Sequence, residues 1–311
     1  MAEALATWAW HPPYGGVALV QERPVVTERP SPLPVDHGRS AHEVEINLDV
    51  APPSRVADYV DGGDAHFAVD RDVAEQLFAS VPGGIDGFRA VGRASQAFLE
   101  RVVHHLTADA GIRQFLVTGC KLSGEPNVHD LAQALAPSSR VVYLVLDPVM
   151  LAHAHTFRST TAEGATAYVQ AKMRDPEEIL RQAAATLDLS RPVAVLFPAT
   201  LAFVRKDETA YWIVAQLMGG LPSGSHLMIT HHASDLFVEE HVEMFRSIER
   251  LEAEGKTWGV TPRSHAEVAK FFDGLELVEP GLGPQDEWRV PDADQDPGVR
   301  GAMYGAVGRK P

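Results

Sequence analysis

Two stretches of this chain set acid–base side chains at spacings that chemistry can use. The first is "DYVDGGDAH", residues 58–66, where Tyr59, Asp61, Asp64 and His66 flank the pair Gly62-Gly63. A histidine beside carboxylates can take and return a proton near neutral pH, since its ordinary pKa is about 6.5. His66 and Asp64 are therefore candidate catalytic groups and Tyr59 a candidate substrate contact. The competing reading is an exposed turn with ordinary glycine and aspartate turn chemistry. The second stretch is "HLMITHH", residues 226–232, an apolar run ending in His231-His232. His231 is a third catalytic candidate, set against a structural role at a strand end.

A third stretch, "RQFLVTGCKLSGEPNVHDLAQAL" (113–135), has the pattern of a strand, a short loop and a helix, where nucleotide-type cofactors bind. Lys121 stands where such a loop would want glycine. Lys121 and Lys172 are two of only six lysines. They could form a cationic site for a carboxylate or phosphate, helped by backbone N–H groups at the helix start near 126, or simply point into solvent. Cys120 is expected to be a small buried thiol, because a nucleophile would want a base or helix terminus to lower its pKa. The 14 histidines do not fall at metal-site spacings: His104-His105 are adjacent, His153 and His155 are two apart, and there is no HExxH. No metal is expected.

The elements that must position these groups follow from texture. Residues 1–45, with "HPPYGG" and "ERPVVTERPSPLP", form a Pro-rich arm expected to be partly disordered or packed across the body through Trp8, Trp10 and Tyr14. Residues 46–108 are helical, and 88–107 place Phe88, Val91, Ala94, Phe98, Val102 and Leu106 on one face. Apolar runs at 114–118, 141–146, 166–170, 193–199 and 226–231 alternate with helical stretches near 126–136, 148–156, 176–187 and 207–219. That alternation predicts an open, mainly parallel sheet with right-handed crossovers. Helices near 235–253 and 264–272 precede two further strands, 275–280 and 302–310, expected as an antiparallel pair. A net charge of −15 without a Lys/Arg stripe argues against nucleic acid as a partner. No apolar stretch reaches spanning length, the start lacks a signal-peptide pattern, and one cysteine fits a reducing compartment, so a cytoplasmic protein with no membrane partner is expected.

From about residue 50 onward the chain resembles a bacterial family of S-adenosylmethionine-dependent methyltransferases. The resemblance rests on "PSRVADYVDGGDAHFAVDR", "GIRQFLVTGCKLSGEPNVHDLAQALAPSSRVVYLVLDPVMLAHA", "RDPEEIL" and "FFDGLELVEPG…W". It implies an α/β fold: a Rossmann-like class I methyltransferase sheet, mainly parallel with an antiparallel last strand, helices on both faces and an N-terminal helical lid at 46–108 before the domain at 109–311. It also implies a pocket built from Gly119, Cys120, Lys121, Asp147, Gly62 and Gly63, with His129, Thr200 and Phe203 beside Tyr59 as substrate contacts. In the family pattern the acid after strand 1 falls at Val117, the second loop glycine at Lys121, the strand 2 carboxylate at Val145 and a later aspartate at Lys172. Losing a charged hydrogen-bond partner costs about 1.5–3 kcal/mol, so three losses would weaken binding by several powers of ten.

Three expectations follow. The first is a small-molecule tailoring enzyme, such as a cyclase or isomerase, which has lost conventional cofactor binding and works by substrate orientation and acid–base groups. The alternative is a methyltransferase that binds S-adenosylmethionine through atypical contacts. The last is a non-catalytic ligand-binding protein. The partner in each is a small molecule, and a homo-oligomer stays open.

Overall fold

In a computed structural model, the chain divides into two units, Met1–Glu43 and Val44–Pro311, and every element below belongs to the second. The structure describes residues 46–81, 83–121, 126–154, 160–236, 239–290 and 303–311. The Pro-rich arm with Trp8, Trp10 and Tyr14 lies outside them, as do Leu122 and His155.

Three helices come first: α1 (Pro53–Val60), α2 (Ala68–Phe78) and α3 (Gly84–His104). Proline at the first turn of α1 costs nothing, because that N–H has no partner in a helix. The last turn of α3 widens into a π-helix, His105–Asp109, before the sheet starts. Then strands and helices alternate as the apolar runs predict: β1 (Gln114–Thr118), α4 (Val128–Leu135), β2 (Arg140–Leu144), α5 (Pro148–Ala154), β3 (Ala165–Val169), α6 (Pro176–Ala183), β4 (Ala194–Pro198), α7 (Asp207–Gly219) and β5 (His226–His232). After α8 (Glu239–Ala253) and the short α9 (His265–Ala269) come β6 (Glu276–Leu277), β7 (Gly283–Pro284) and β8 (Met303–Arg309). A reciprocal capping box between Ser264 and Glu267 starts α9.

The strand order is β3-β2-β1-β4-β5-β8-β6, with β7 also pairing β8. β1 to β5 run parallel and β8 runs antiparallel to β5, from His226↔Arg309 to His232↔Met303. This is the sheet of a class I methyltransferase. The run at 275–280 contributes only two residues to the ladder, Glu276 and Leu277, before Pro280 and Gly281 turn the chain away. β7 had no signal of its own in the sequence.

Alternating side chains fill both faces. Leu116, Val142, Leu144, Val195, Phe197 and Ile229 pack under α6 and α7. Phe115, Val117, Val141, Tyr143, Leu196 and Met228 pack under α3 and α4, with Trp288 buried among them. A third cluster joins α1 and α2 to α8 through Val56, Val60, Val73, Leu77, Phe78, Met244 and Leu251. The first two helices therefore have their own small core. No helix among the described residues is long and apolar enough to cross a membrane.

Candidate functional site

The chain passes from β1 to β2 on one side, while β4 flanks β1 on the other, and an open α/β sheet leaves its crevice where such directions part. Gly119 stands there at φ 85°, and its N–H donates to the Leu144 carbonyl at 2.8 Å. Among the described residues a β-carbon at Gly119 would meet only the Thr200 methyl, at an ordinary contact distance of 3.7 Å, so this backbone is open to close approach. Thr118 and Thr200 join the two strand ends. The Thr118 hydroxyl donates to the Leu196 carbonyl at 3.1 Å and accepts from Thr200 at 2.5 Å. Just before Thr200, Ala199 holds φ 59°, a left-handed conformation that costs a non-glycine residue roughly 1–3 kcal/mol. Its N–H is pinned by Thr230, through both carbonyl and hydroxyl. This corner sets Thr200 beside Gly119 and Thr118.

The segment Pro53–His66 roofs the ends of β1 and β2. Lys121 pairs with Asp61 at 3.1 Å, linking the β1 loop to the turn after α1. Arg55, fully buried, sits 3.4 Å from Asp70 and 3.8 Å from Asp147, and its Nη2 donates to the carbonyls of Val50 and Asn47. Burial pushes the Asp70 carboxyl up, against the opposing pull of the Phe67 N–H and Arg55.

Within this roof, Asp58 Oδ2 accepts from the Ala65 N–H at 2.8 Å and faces His66 Nδ1 at 3.1 Å. The other oxygen, Oδ1, is buried without a hydrogen-bond partner. Gly63 lies so close that a β-carbon there would come 2.1 Å from Oδ1. Asp58 thus fixes the tautomer: with Nδ1–H donated to it, His66 keeps its Nε2 lone pair, which has no partner among the described residues. Tyr59 packs edge-on to His66 and donates its hydroxyl to Glu75 at 2.8 Å.

The other expected residues are distributed unevenly. Asp147 caps α5, Oδ1 accepting from the Val149 and Met150 N–H groups, while Oδ2 faces Arg55. Val117 and Val145 are buried in the core cluster under α3. Cys120 is a protonated thiol, pushed up to about 12 by burial. Lys121 is neither solvated alone nor a bare cation, since Asp61 neutralises it. Asp64, Gly62 and Lys172 are exposed, and Phe203 is half-buried.

His129 is buried, with Nδ1 2.9 Å from the Tyr143 hydroxyl, and burial pushes its pKa down. His231 is wholly buried, with both ring nitrogens in use. Nδ1 donates to the His232 carbonyl at 2.9 Å, and Nε2 accepts from Arg263 at 2.8 Å. Burial pushes it down to about 3, with the Arg263 charge adding to the effect. Its described contacts leave no lone pair for a substrate. Arg263 in turn reaches Asp207 and the carbonyls of Leu201 and Val204.

Sequence reasoning missed Asp58, Arg55, Asp70 and Arg263. Asp58 had a readable signal, the return of the chain through Gly62-Gly63 to His66. The arginines had none, because their partners lie far along the chain. Among the described residues no group of three or more His, Cys, Asp or Glu could hold a metal ion.

A family model described as S-adenosyl methyltransferase matches residues 39–311. A crystal structure of a DUF574 family protein from Streptomyces avermitilis is 37% identical, with TM-score 0.74, over 84% of this chain and 98% of that one. A presumptive methyltransferase from Thermobifida fusca is 29% identical, with TM-score 0.73, over 85% of this chain and 96% of that one. No curated protein matches the chain.

Proposed function

This chain belongs to the S-adenosyl methyltransferase family, and from that premise we propose that it binds S-adenosylmethionine by atypical contacts and methylates a small-molecule acceptor. The observation that carries the reading is the open Gly119 corner at the switch point, roofed by a segment that presents an Asp58–His66 pair. The residues present fit the cofactor at two places. Gly119 gives backbone that a ligand can approach, and Asp147 gives a carboxylate beyond the end of β2, where ribose hydroxyls want one. Bound there, the cofactor supplies an electrophilic methyl group.

The chain's own residues do the rest. Asp58 holds His66 as the tautomer whose Nε2 can take the proton of an acceptor hydroxyl or amine. The Lys121–Asp61 and Arg55–Asp147 pairs tie the roof to the strand ends, which keeps water from the crevice and orients the acceptor. A cytoplasmic site of action belongs to the same reading, supported by the single cysteine, which fits a reducing compartment.

A second reading has its own support. Val117 and Val145 put apolar side chains where the family pattern has acids, and Lys121, paired with Asp61, puts a long side chain where the loop pattern has glycine. On that reading the scaffold is a tailoring enzyme, such as a cyclase or isomerase, working by orientation and His66 alone. Calorimetric titration with S-adenosylmethionine and S-adenosylhomocysteine separates the two. Micromolar binding of either supports the first reading, and its absence in folded protein overturns it in favour of the second. Lys121→Gly is expected to tighten cofactor binding by removing bulk from the loop, while the loss of its pair with Asp61 loosens the roof over the acceptor. Val117→Asp is a poor companion, since it would bury a carboxylate in the core.

A further inference from the structure

The end of the sheet opposite the crevice holds a pocket of about 420 Å³. It lies among the amino-terminal ends of β1 and β5, as the register requires, because His226 pairs with Arg309 across β5 and β8 while Gln114 begins β1. Five residues at about 3.3 Å per step put roughly 13 Å of strand between Gln114 and Thr118, so this is not the crevice seen from below.

Its wall is cationic on a chain of net charge −15. Among the described residues, Arg113, Arg191 and Arg309 line it with His105 and His226, and no Asp or Glu does. Ile112, Pro192 and Val278 supply an apolar side. The charges are only partly met from outside the wall. Arg309 pairs with Glu276 at 2.9 Å with both side chains about half exposed, and His105 faces Asp109 at 2.8 Å. Arg113 spends Nη1 on the carbonyls of Thr107 and Ile112, which fixes its guanidinium rather than neutralising it. His226 is only 4% exposed, yet its Nδ1 has no hydrogen-bond partner. A buried polar atom left unsatisfied at the wall of a pocket is where a ligand group is expected. The π-turn carrying His105 forms one rim, and such turns recur at functional sites.

We propose that this pocket binds a small organic anion, its carboxylate or phosphate group held by Arg113, Arg191 and Arg309 with His226 beneath, and its apolar body against Ile112, Pro192 and Val278. Guanidinium groups match planar and tetrahedral oxyanions in a way that ammonium groups do not, and the volume suits a ligand of a few rings at most. The pocket stands apart from whatever occupies the crevice.

The test is calorimetry on the full chain with phenyl phosphate, benzoate and inorganic phosphate, at matched ionic strength. Saturable binding of phenyl phosphate or benzoate is expected, and whichever arm is tighter identifies the head group. Arg191→Gln with Arg309→Gln should weaken it by at least about tenfold, since each substitution removes a charged hydrogen-bond donor. Both side chains are exposed, so the melting temperature should hold. No saturable binding by the wild-type protein, or equal binding by the double variant, overturns the proposal. Inorganic phosphate binding as tightly as phenyl phosphate overturns the assignment to an organic anion.

Discussion

His231, His226 and His232 are residues through which acid should unfold this protein. Burial pushes them down to about 3, about 4 and about 4, against about 6.5 for an unfolded histidine. Below pH 6.5 the unfolded chain therefore binds protons that the folded chain refuses. Stability should be full above that pH and fall as pH drops toward 4, by about 1.4 kcal/mol per unit for each histidine. Urea melts at pH 7.5, 6 and 5 read this directly, and His231→Gln should flatten the slope. Asp58 is the second residue with a sharp consequence. Asp58→Asn keeps an oxygen for the Ala65 N–H but loses the anion that orients His66. Turnover of any accepted substrate should fall about 10²–10⁴-fold with little change in melting temperature. At this scale the sequence was half legible. That His66 lies beside a carboxylate could be read from type and place, though the partner is Asp58. His231 was visible, but its confinement was not, because Arg263 meets it only through tertiary packing.

Elements were more legible than residues, because burial on both faces leaves a plain mark: an unbroken apolar run for each central strand. β6 shows the limit. Its run, Leu275 to Pro280, alternates apolar residues with Glu276 and Glu279, yet Pro280 and Gly281 end the ladder after two residues, and β7 is too short to have any period. Glycines carry information that apolar counts do not. Gly305 on β8 lies where a β-carbon would come 2.8 Å from the Phe98 ring and 2.9 Å from Gln285. Gly305→Ala should cost about 1–3 kcal/mol by overpacking, seen as a lower denaturation midpoint. Gly63→Ala should cost a similar amount and also displace the Asp58 carboxylate, so lowered activity should accompany lowered stability. The two substitutions together distinguish a glycine kept for packing from one kept for the site.

At the scale of the whole molecule, one sheet separates two unlike ends. The carboxyl end carries the glycine corner and aspartates paired to Arg55 and Lys121, and the amino end carries the arginine-lined pocket. The family resemblance made the first end legible. The second escaped because its arginines stand at 113, 191 and 309, joined only by strand register. That same register has a consequence for how the molecule is made. β5 ends at residue 232, but the strand that covers its edge does not begin until 303. A growing chain must therefore hold an apolar, hydrogen-bond-hungry edge open while everything between is synthesised. Until β8 arrives, that edge is a pairing site for other strands, so a chain truncated before residue 303 should aggregate where the full chain does not.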